Sequence, residues 1–289
     1  FNAGKIVRTW TQRGTIHTVC AEDAARMVQL CASKTLWGFK KRREYLGITD
    51  MEIDRILERV PVILREHWPL SRKQIAMILA SEWFDISANK PYHIMCYAWT
   101  LWLTVQWPIV GKEQCFVSTS DRLQKTIRLT EESALRELCL RYFTSHGPAT
   151  VDDLQRRSWI GKTQIKKWIE ACWSLLSCEN FDWTIYYFGK QSTGEKQFSR
   201  VHFLAWFDER LLWYKDRTAT LALEHHTWVD VSRNGIFKPT VMIDWKTIGI
   251  WWVSHKSNVS VITLKPFEKL SQKEIALLQK VPQQYHAYL

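Results

Sequence analysis

From Asp50 onward the chain sets out one order of elements twice, and that order restricts the fold more than any other feature. Apolar spacing predicts a helix over 50–66. Ser71 stands as an N-cap for a second helix over 72–82, and Ser87 for a third over about 88–101. The stretch LTVQWPIVGKEQCFVS then supplies two strands and a connector. The order returns at 130. Glu131–Ser145 is helical and stops at Gly147-Pro148, and Thr150 with Asp153 makes a capping-box pattern for a short helix over 151–157. Thr163–Leu175 is the third helix, with Ile165, Ile169, Cys172 and Leu176 spaced for burial. Strands at 175–179 and 184–189 follow. Three helices and a hairpin make the winged-helix form of helix-turn-helix, in which the third helix enters the DNA major groove.

The opening residues fit as the remains of an earlier copy. Ile6–Thr11 and Thr15–Val19 read as strands around Gln12-Arg13-Gly14, followed by a helix over 22–32. A hairpin with nothing before it to pack under is expected to follow an upstream segment. From about 193 the character changes. Val201–Ala205, Thr240–Ile243, Thr247–Val253 and Val259–Leu264 are β-rich, and Ser271 with Glu274 caps a closing helix. The expected fold class is α+β: tandem winged-helix domains, the first truncated, then a small β-rich C-terminal α/β module. The expected boundaries are 1–48, 49–127, 128–192 and 193–289.

Forty basic against 29 acidic residues leave a formal charge of +11, the footprint expected of a protein that meets a polyanion such as DNA. No run approaches the roughly 20 apolar residues of a membrane span. Seven cysteines without CxxC pairing or zinc-finger spacing point to reduced thiols and a cytoplasmic protein.

Few motifs carry chemistry. "IGKT" at 160–163 opens a helix, but a P-loop needs glycine five residues before Gly161, and Arg156 stands there. No His, Cys and Asp cluster has metal spacing, so neither a metal nor a cofactor is expected. His225-His226 reads as a surface pair. Lys162, Lys166 and Lys167 cluster on the first turns of the third helix, away from its apolar face, as phosphate contacts. In "TQRGTIHTV", Thr15 and His17 share one strand face beside Arg13, a candidate DNA-facing or catalytic surface; the plainer reading is an edge strand with satisfied hydrogen bonds. In "FDERLLWYKDRTATL", Asp208, Glu209, Asp216 and Arg217 read as structural ion pairs.

Four blocks in order, "GKIVRTWTQRGTIHTVCAEDA", "ALRELCLRYFTSHGPATVDDL", "FDERLLWYKDRTATL" and "NGIFKPTVMIDWKTIGIWW", resemble the bacterial winged-helix family of AlkZ-like and YcaQ-like DNA glycosylases. The resemblance spans the chain. It implies winged helices cupped around double-stranded DNA, a monomeric repair hydrolase for alkylation damage, and excision of bulky N-alkylated purines or unhooking of crosslinks. It also implies a catalytic Gln-x-Gln or Gln-x-Asp in the first winged helix, upstream of Gly4. No position here matches that motif, so its residues are expected before Phe1 and this fragment is expected to be inactive. Arg13, Thr15 and His17 would lie near the lesion. The alternative is a winged-helix DNA-binding transcriptional regulator without catalysis; a weaker one is a protein-interaction scaffold.

One anomaly remains. Seventeen tryptophans exceed eleven glycines, and glycine stands at about 4% against about 7% in average usage. Trp68 and Trp83 fall where glycine ends a helix, and Trp183 and Trp245 where Asp-Gly turns a hairpin. The resemblance implies glycine also at Trp107, Trp159, Trp206 and Trp213. A gene whose UGA codons mean glycine, translated with UGA as tryptophan, has this signature. Trp10 and Trp251 fit as tryptophans.

Overall fold

A computed structural model of the chain describes residues 3–123, 129–190, 200–231, 235–256 and 259–279. The chain divides into two compact units, 1–145 with 158–176, and 146–157 with 177–289. The architecture is α+β, with helices and antiparallel sheets of winged-helix character.

The first unit opens with β1 (Ile6–Trp10), a 3-10 turn at Gln12–Gly14, β2 (Ile16–Cys20) and α1 (Ala21–Tyr45). The helix runs well past the expected 22–32. Its polar second half, SKTLWGFKKRREY, lacks the periodicity that marks a helix, but α1 packs along a later helix, so tertiary contact carries it. Next come α2 (Asp50–His67), β3 (Leu70–Ser71), α3 (Arg72–Ser81), α4 (Lys90–Thr100), β4 (Thr104–Val110), β5 (Glu113–Ser118) and α5 (Thr119–Arg122). Local rules explain the boundaries. The Thr49 side chain accepts from Glu52 N–H at the start of α2, and Ser71 with Gln74 forms a capping box for α3.

The apolar stripe of α2, Ile53, Ile56, Leu57, Val60, Ile63 and Leu64, is buried. It packs with Ile75, Leu79, Ile94, Met95 and Trp99 in the main core. The two hairpins merge into one antiparallel sheet of order β2-β1-β4-β5-β3, joined where Arg8 of β1 faces Gln106 of β4. β2 is therefore an edge strand.

Helices α6 (Glu131–His146), α7 (Val151–Ser158) and α8 (Lys162–Ala171) follow, then β6 (Leu176–Phe181) and β7 (Thr184–Gly189). α6 up to Ser145 and all of α8 belong to the first unit; α7 up to Arg157 and nearly all of the β6–β7 hairpin belong to the second. Ile165, Ile169, Cys172 and Leu176 are buried, as their spacing requires.

The second unit adds β8 (Val201–Leu204), α9 (Glu209–Leu212), α10 (His226–Val229), β9 (Thr240–Ile243), β10 (Lys246–Lys256), β11 (Val259–Pro266) and α11 (Gln272–Leu278). The four strands form an antiparallel sheet of order β11-β10-β9-β8. β10 bulges between Thr247 and Gly249. A Cβ on Gly249 would stand 2.5 Å from the Lys265 carbonyl oxygen, so only glycine lets β11 approach there.

Several turns carry tryptophan in left-handed backbone. Trp83, Trp159, Trp183 and Trp245 have φ of 67°, 62°, 62° and 70°, as their sequence positions suggest. Trp102 joins them at 60°. Strain of this kind costs about 1–3 kcal/mol per residue. Trp68 and Trp213 have negative φ, and neither Trp107 nor Trp206 has positive φ, so the backbone does not require glycine at these four.

Candidate nucleic-acid interface

The turn of the β1–β2 hairpin is tightly bonded. Thr11 N–H donates to the Thr15 carbonyl at 3.1 Å, and Gly14 N–H to the Thr11 carbonyl at 3.3 Å. The Thr15 hydroxyl donates to the Gln12 carbonyl at 3.1 Å. His17 Nδ1 lies 2.9 Å from Thr11 Oγ1 and 3.1 Å from the Thr15 carbonyl oxygen. An Nδ1–H between these two oxygens fixes the imidazole against the turn. Thr9 faces His17 across the ladder. Thr15 is exposed and His17 half-buried. The structure thus brings two of the three hairpin candidates together; the side chain of Arg13 lies outside the described residues.

Two residues that sequence reading passed over belong to this site. Gln12 is only 4% exposed, and its Oε1 has no hydrogen-bond partner among the described residues. Thr9 is fully buried with its hydroxyl in the same state. A buried polar atom without a partner is costly and uncommon. Trp10 anchors the hairpin, with its ring centroid 5.5 Å from Trp99 and 6.0 Å from Tyr92. Gln12 escaped notice because alternation says nothing of burial inside a 3-10 turn.

Lys162, Lys166 and Lys167 form a second, separate set; α8 makes no extensive contact with β1, β2 or their turn among the described residues. All three lysines are exposed, while Ile165, Trp168 and Ile169 hold the opposite face of α8 in the core. Lys167 Nζ lies 3.4 Å from Glu132 and 4.9 Å from the Trp168 ring centroid, so part of its charge is already engaged.

The remaining charged motif is structural, though among the described residues only Glu209 of its four expected members makes an ion pair between side chains. Asp208 caps α9. Glu209 pairs with Arg157 at 2.6 Å, and Lys215 with Asp152 at 2.6 Å. Asp216 accepts from Thr218 N–H and hydroxyl. Burial, helped by Arg156 and opposed by Asp230, lowers the Arg217 guanidinium to about 10. His225 is not a bare loop residue: it meets Glu268 at 3.5 Å and packs on Phe267. Its ligand atom converges with those of Glu224 and Glu268 within 4.8 Å, but both carboxylates are exposed. That is the geometry of a surface ion pair. All seven cysteines are free thiols. No described helix is long and apolar enough to cross a membrane.

The family of DNA glycosylases described as AlkZ-like matches residues 1–288. The chain belongs to the AlkZ-like family. An interstrand DNA cross-link repair glycosylase of Streptomyces sahachiroi is 20% identical over 294 aligned positions, covering 95% of this chain and 76% of that protein. The solved structure of Streptomyces sahachiroi DNA glycosylase AlkZ superposes with a TM-score of 0.75 over 94% of this chain and 77% of that one, at 20% identity. The fold is therefore that of a winged-helix DNA glycosylase, and membership ties this AlkZ-like chain to DNA binding and repair.

Proposed function

We propose that this AlkZ-like protein binds damaged double-stranded DNA through tandem winged helices, at 1–48, 49–127 and 128–192, with a C-terminal module from 193. The family match across residues 1–288 carries this reading. Lys162, Lys166 and, more weakly, Lys167 contact phosphates from α8. Arg13, Thr15 and His17 stand near the lesion, on the hairpin whose turn holds the imidazole in place. The substrate class is an N-alkylated purine or a crosslink built on one. Such a base is cationic and already a good leaving group, so the enzyme need supply little acid. It must position a water near C1′ and stabilise a cationic sugar, which neutral carboxamides and hydroxyls do by orientation and electrostatics. A bulky adduct is better served by an open basic surface than by a snug flipping pocket.

Base release depends on the Gln-x-Gln or Gln-x-Asp pair that the family resemblance places before Gly4, and these 289 residues contain neither. The chain alone is expected to bind without excising. The second reading is a DNA-binding regulator with no catalysis. One pair of measurements separates them. Anisotropy on a labelled duplex should show binding that weakens steeply with salt; salt-insensitive binding or none would remove the DNA reading altogether. Base release from alkylated duplex, assayed with the coding sequence upstream of Phe1 included, should be positive for the glycosylase and nil for the regulator.

A further inference from the structure

We infer that five tryptophans of this sequence, Trp83, Trp102, Trp159, Trp183 and Trp245, are glycines in the natural polypeptide, because its gene writes glycine at these positions with a codon read elsewhere as tryptophan. The inference rests on backbone geometry and is independent of the proposed function.

The chain contains its own control. α1 ends in a Schellman motif whose left-handed residue is Gly47, at φ 66°. Gly47 N–H donates to the Glu44 carbonyl at 3.0 Å, and Ile48 N–H to the Arg43 carbonyl at 3.1 Å. α3 ends with the same pair of bonds: Trp83 N–H to Ala80 and Phe84 N–H to Leu79, both at 3.1 Å. α4 repeats it: Trp102 N–H to Trp99 and Leu103 N–H to Ala98, both at 2.9 Å. The residue after each left-handed position, Ile48, Phe84 or Leu103, packs on the same core, as the motif requires. Three helices thus close alike, one on glycine and two on the bulkiest side chain available. Trp159 holds the left-handed position directly after α7.

The hairpins agree. β6–β7 and β9–β10 each turn on Asp-Trp, at φ 48° and 62° for Asp182-Trp183 and 46° and 70° for Asp244-Trp245. Positive φ at both central residues is the type I′ turn, for which Asp-Gly is a standard pair. Aspartate tolerates this conformation; a bulky side chain there is an outlier. Among the described residues, five of the nine non-glycine residues with positive φ are tryptophan. Two of their indoles do little for the fold, since Trp83 and Trp183 are 96% and 94% exposed, whereas Trp102 packs beside Val105 and Val117 and Trp245 stacks on His202.

Trp99 and Trp251 behave as tryptophans. Trp99 is 3% exposed in the main core, and Trp251 Nε1 donates to the Leu204 carbonyl at 2.8 Å. One residue type that both fills the core and occupies turns built for glycine is what two codons merged under one letter would leave. UGA is tryptophan in some codes and glycine in others, whereas UGG is tryptophan. The rival account is an aromatic surface that stacks on unpaired bases. It gives no reason for the indoles to occupy left-handed turns.

The deciding experiment is peptide mass mapping of the protein isolated from its own organism, read against the codons of its gene. The expected result is UGA codons and glycine masses at 83, 102, 159, 183 and 245, with UGG and tryptophan masses at Trp10, Trp99 and Trp251. Tryptophan masses at the five turns would overturn the inference, whatever the codons. In protein made with the sequence as written, Trp83→Gly and Trp183→Gly should each raise the unfolding midpoint, by roughly 2–4 °C. A lower midpoint in both would show that the indoles are structural and would count equally against it.

Discussion

The second and third sets of helices share one order of elements, yet the molecule uses them differently. In 50–118, α2, α3, α4 and the strands β4 and β5 lie in one compact unit around a single core, and the hairpin is built into a five-stranded sheet. In 131–189, α6 and α8 fall in that first unit while α7 and the two-stranded β6–β7 hairpin fall mainly in the second. The third helices differ in the same sense. α4, KPYHIMCYAWT, is mostly buried, and its Lys90 is buried in an ion pair with Asp85. α8, KTQIKKWIEA, buries one face and turns three lysines outward. Repetition of a grammar therefore does not repeat a role. Apolar content decides which copy becomes core and which keeps a charged face.

Substitutions sharpen this contrast, and the largest effect is expected in the core. Ile56→Ala should destabilise by about 2–5 kcal/mol in urea unfolding, because a fully buried side chain leaves a cavity. Phe181→Ala, on the exposed β6–β7 hairpin, should change stability by no more than about 0.5 kcal/mol. Equal losses at the two sites would erase the difference.

Charge reversal at Lys162 and Lys166 comes next. If α8 carries phosphate contacts, the slope of log affinity against log salt for a duplex should shrink by about 2, with stability unchanged. Lys90→Gln should do the reverse, lowering stability and leaving the slope alone. An unaltered slope in the α8 variant would move the interface elsewhere.

A pH titration separates the core region in another way. Burial, helped by Arg42 and Arg43, lowers His93 from 6.5 to about 4. The unfolded chain takes up that proton at higher pH than the folded one. Stability should thus be full above about pH 6.5 and decline as pH falls toward 4. His93→Gln should flatten that decline, and a profile identical to that of the parent would show that His93 is not its source. The smallest effect is expected at the half-exposed pair of Arg59 with Glu82, whose carboxylate oxygens both lie 2.9 Å from Arg59 Nε. Arg59→Ala should cost about 0–1 kcal/mol, less at high salt.

The candidate site was half legible. The three α8 lysines stand out because helical spacing separates them from Ile165 and Ile169, and the structure keeps that separation. Thr15 and His17 were placed on one face by alternation, but the bonds tying His17 to Thr11 and Thr15 depend on a 3-10 turn with no periodic signature. Gln12 shows the limit best. Its type suggests a surface residue, and only the packing of the hairpin buries it.

The sequence alone determined the order of helices and hairpins, the caps at Ser71, Thr150 and Ser271, and the left-handed turns at Trp83, Trp159, Trp183 and Trp245. Each of these is settled within a few residues by hydrogen-bond reach, side-chain period or allowed φ. Tertiary structure alone decided the length of α1, the joining of two hairpins at Arg8 and Gln106, and the division of the third helical set between two units. Those outcomes depend on contacts between residues far apart in the chain, where the free energy of burial outweighs local preference.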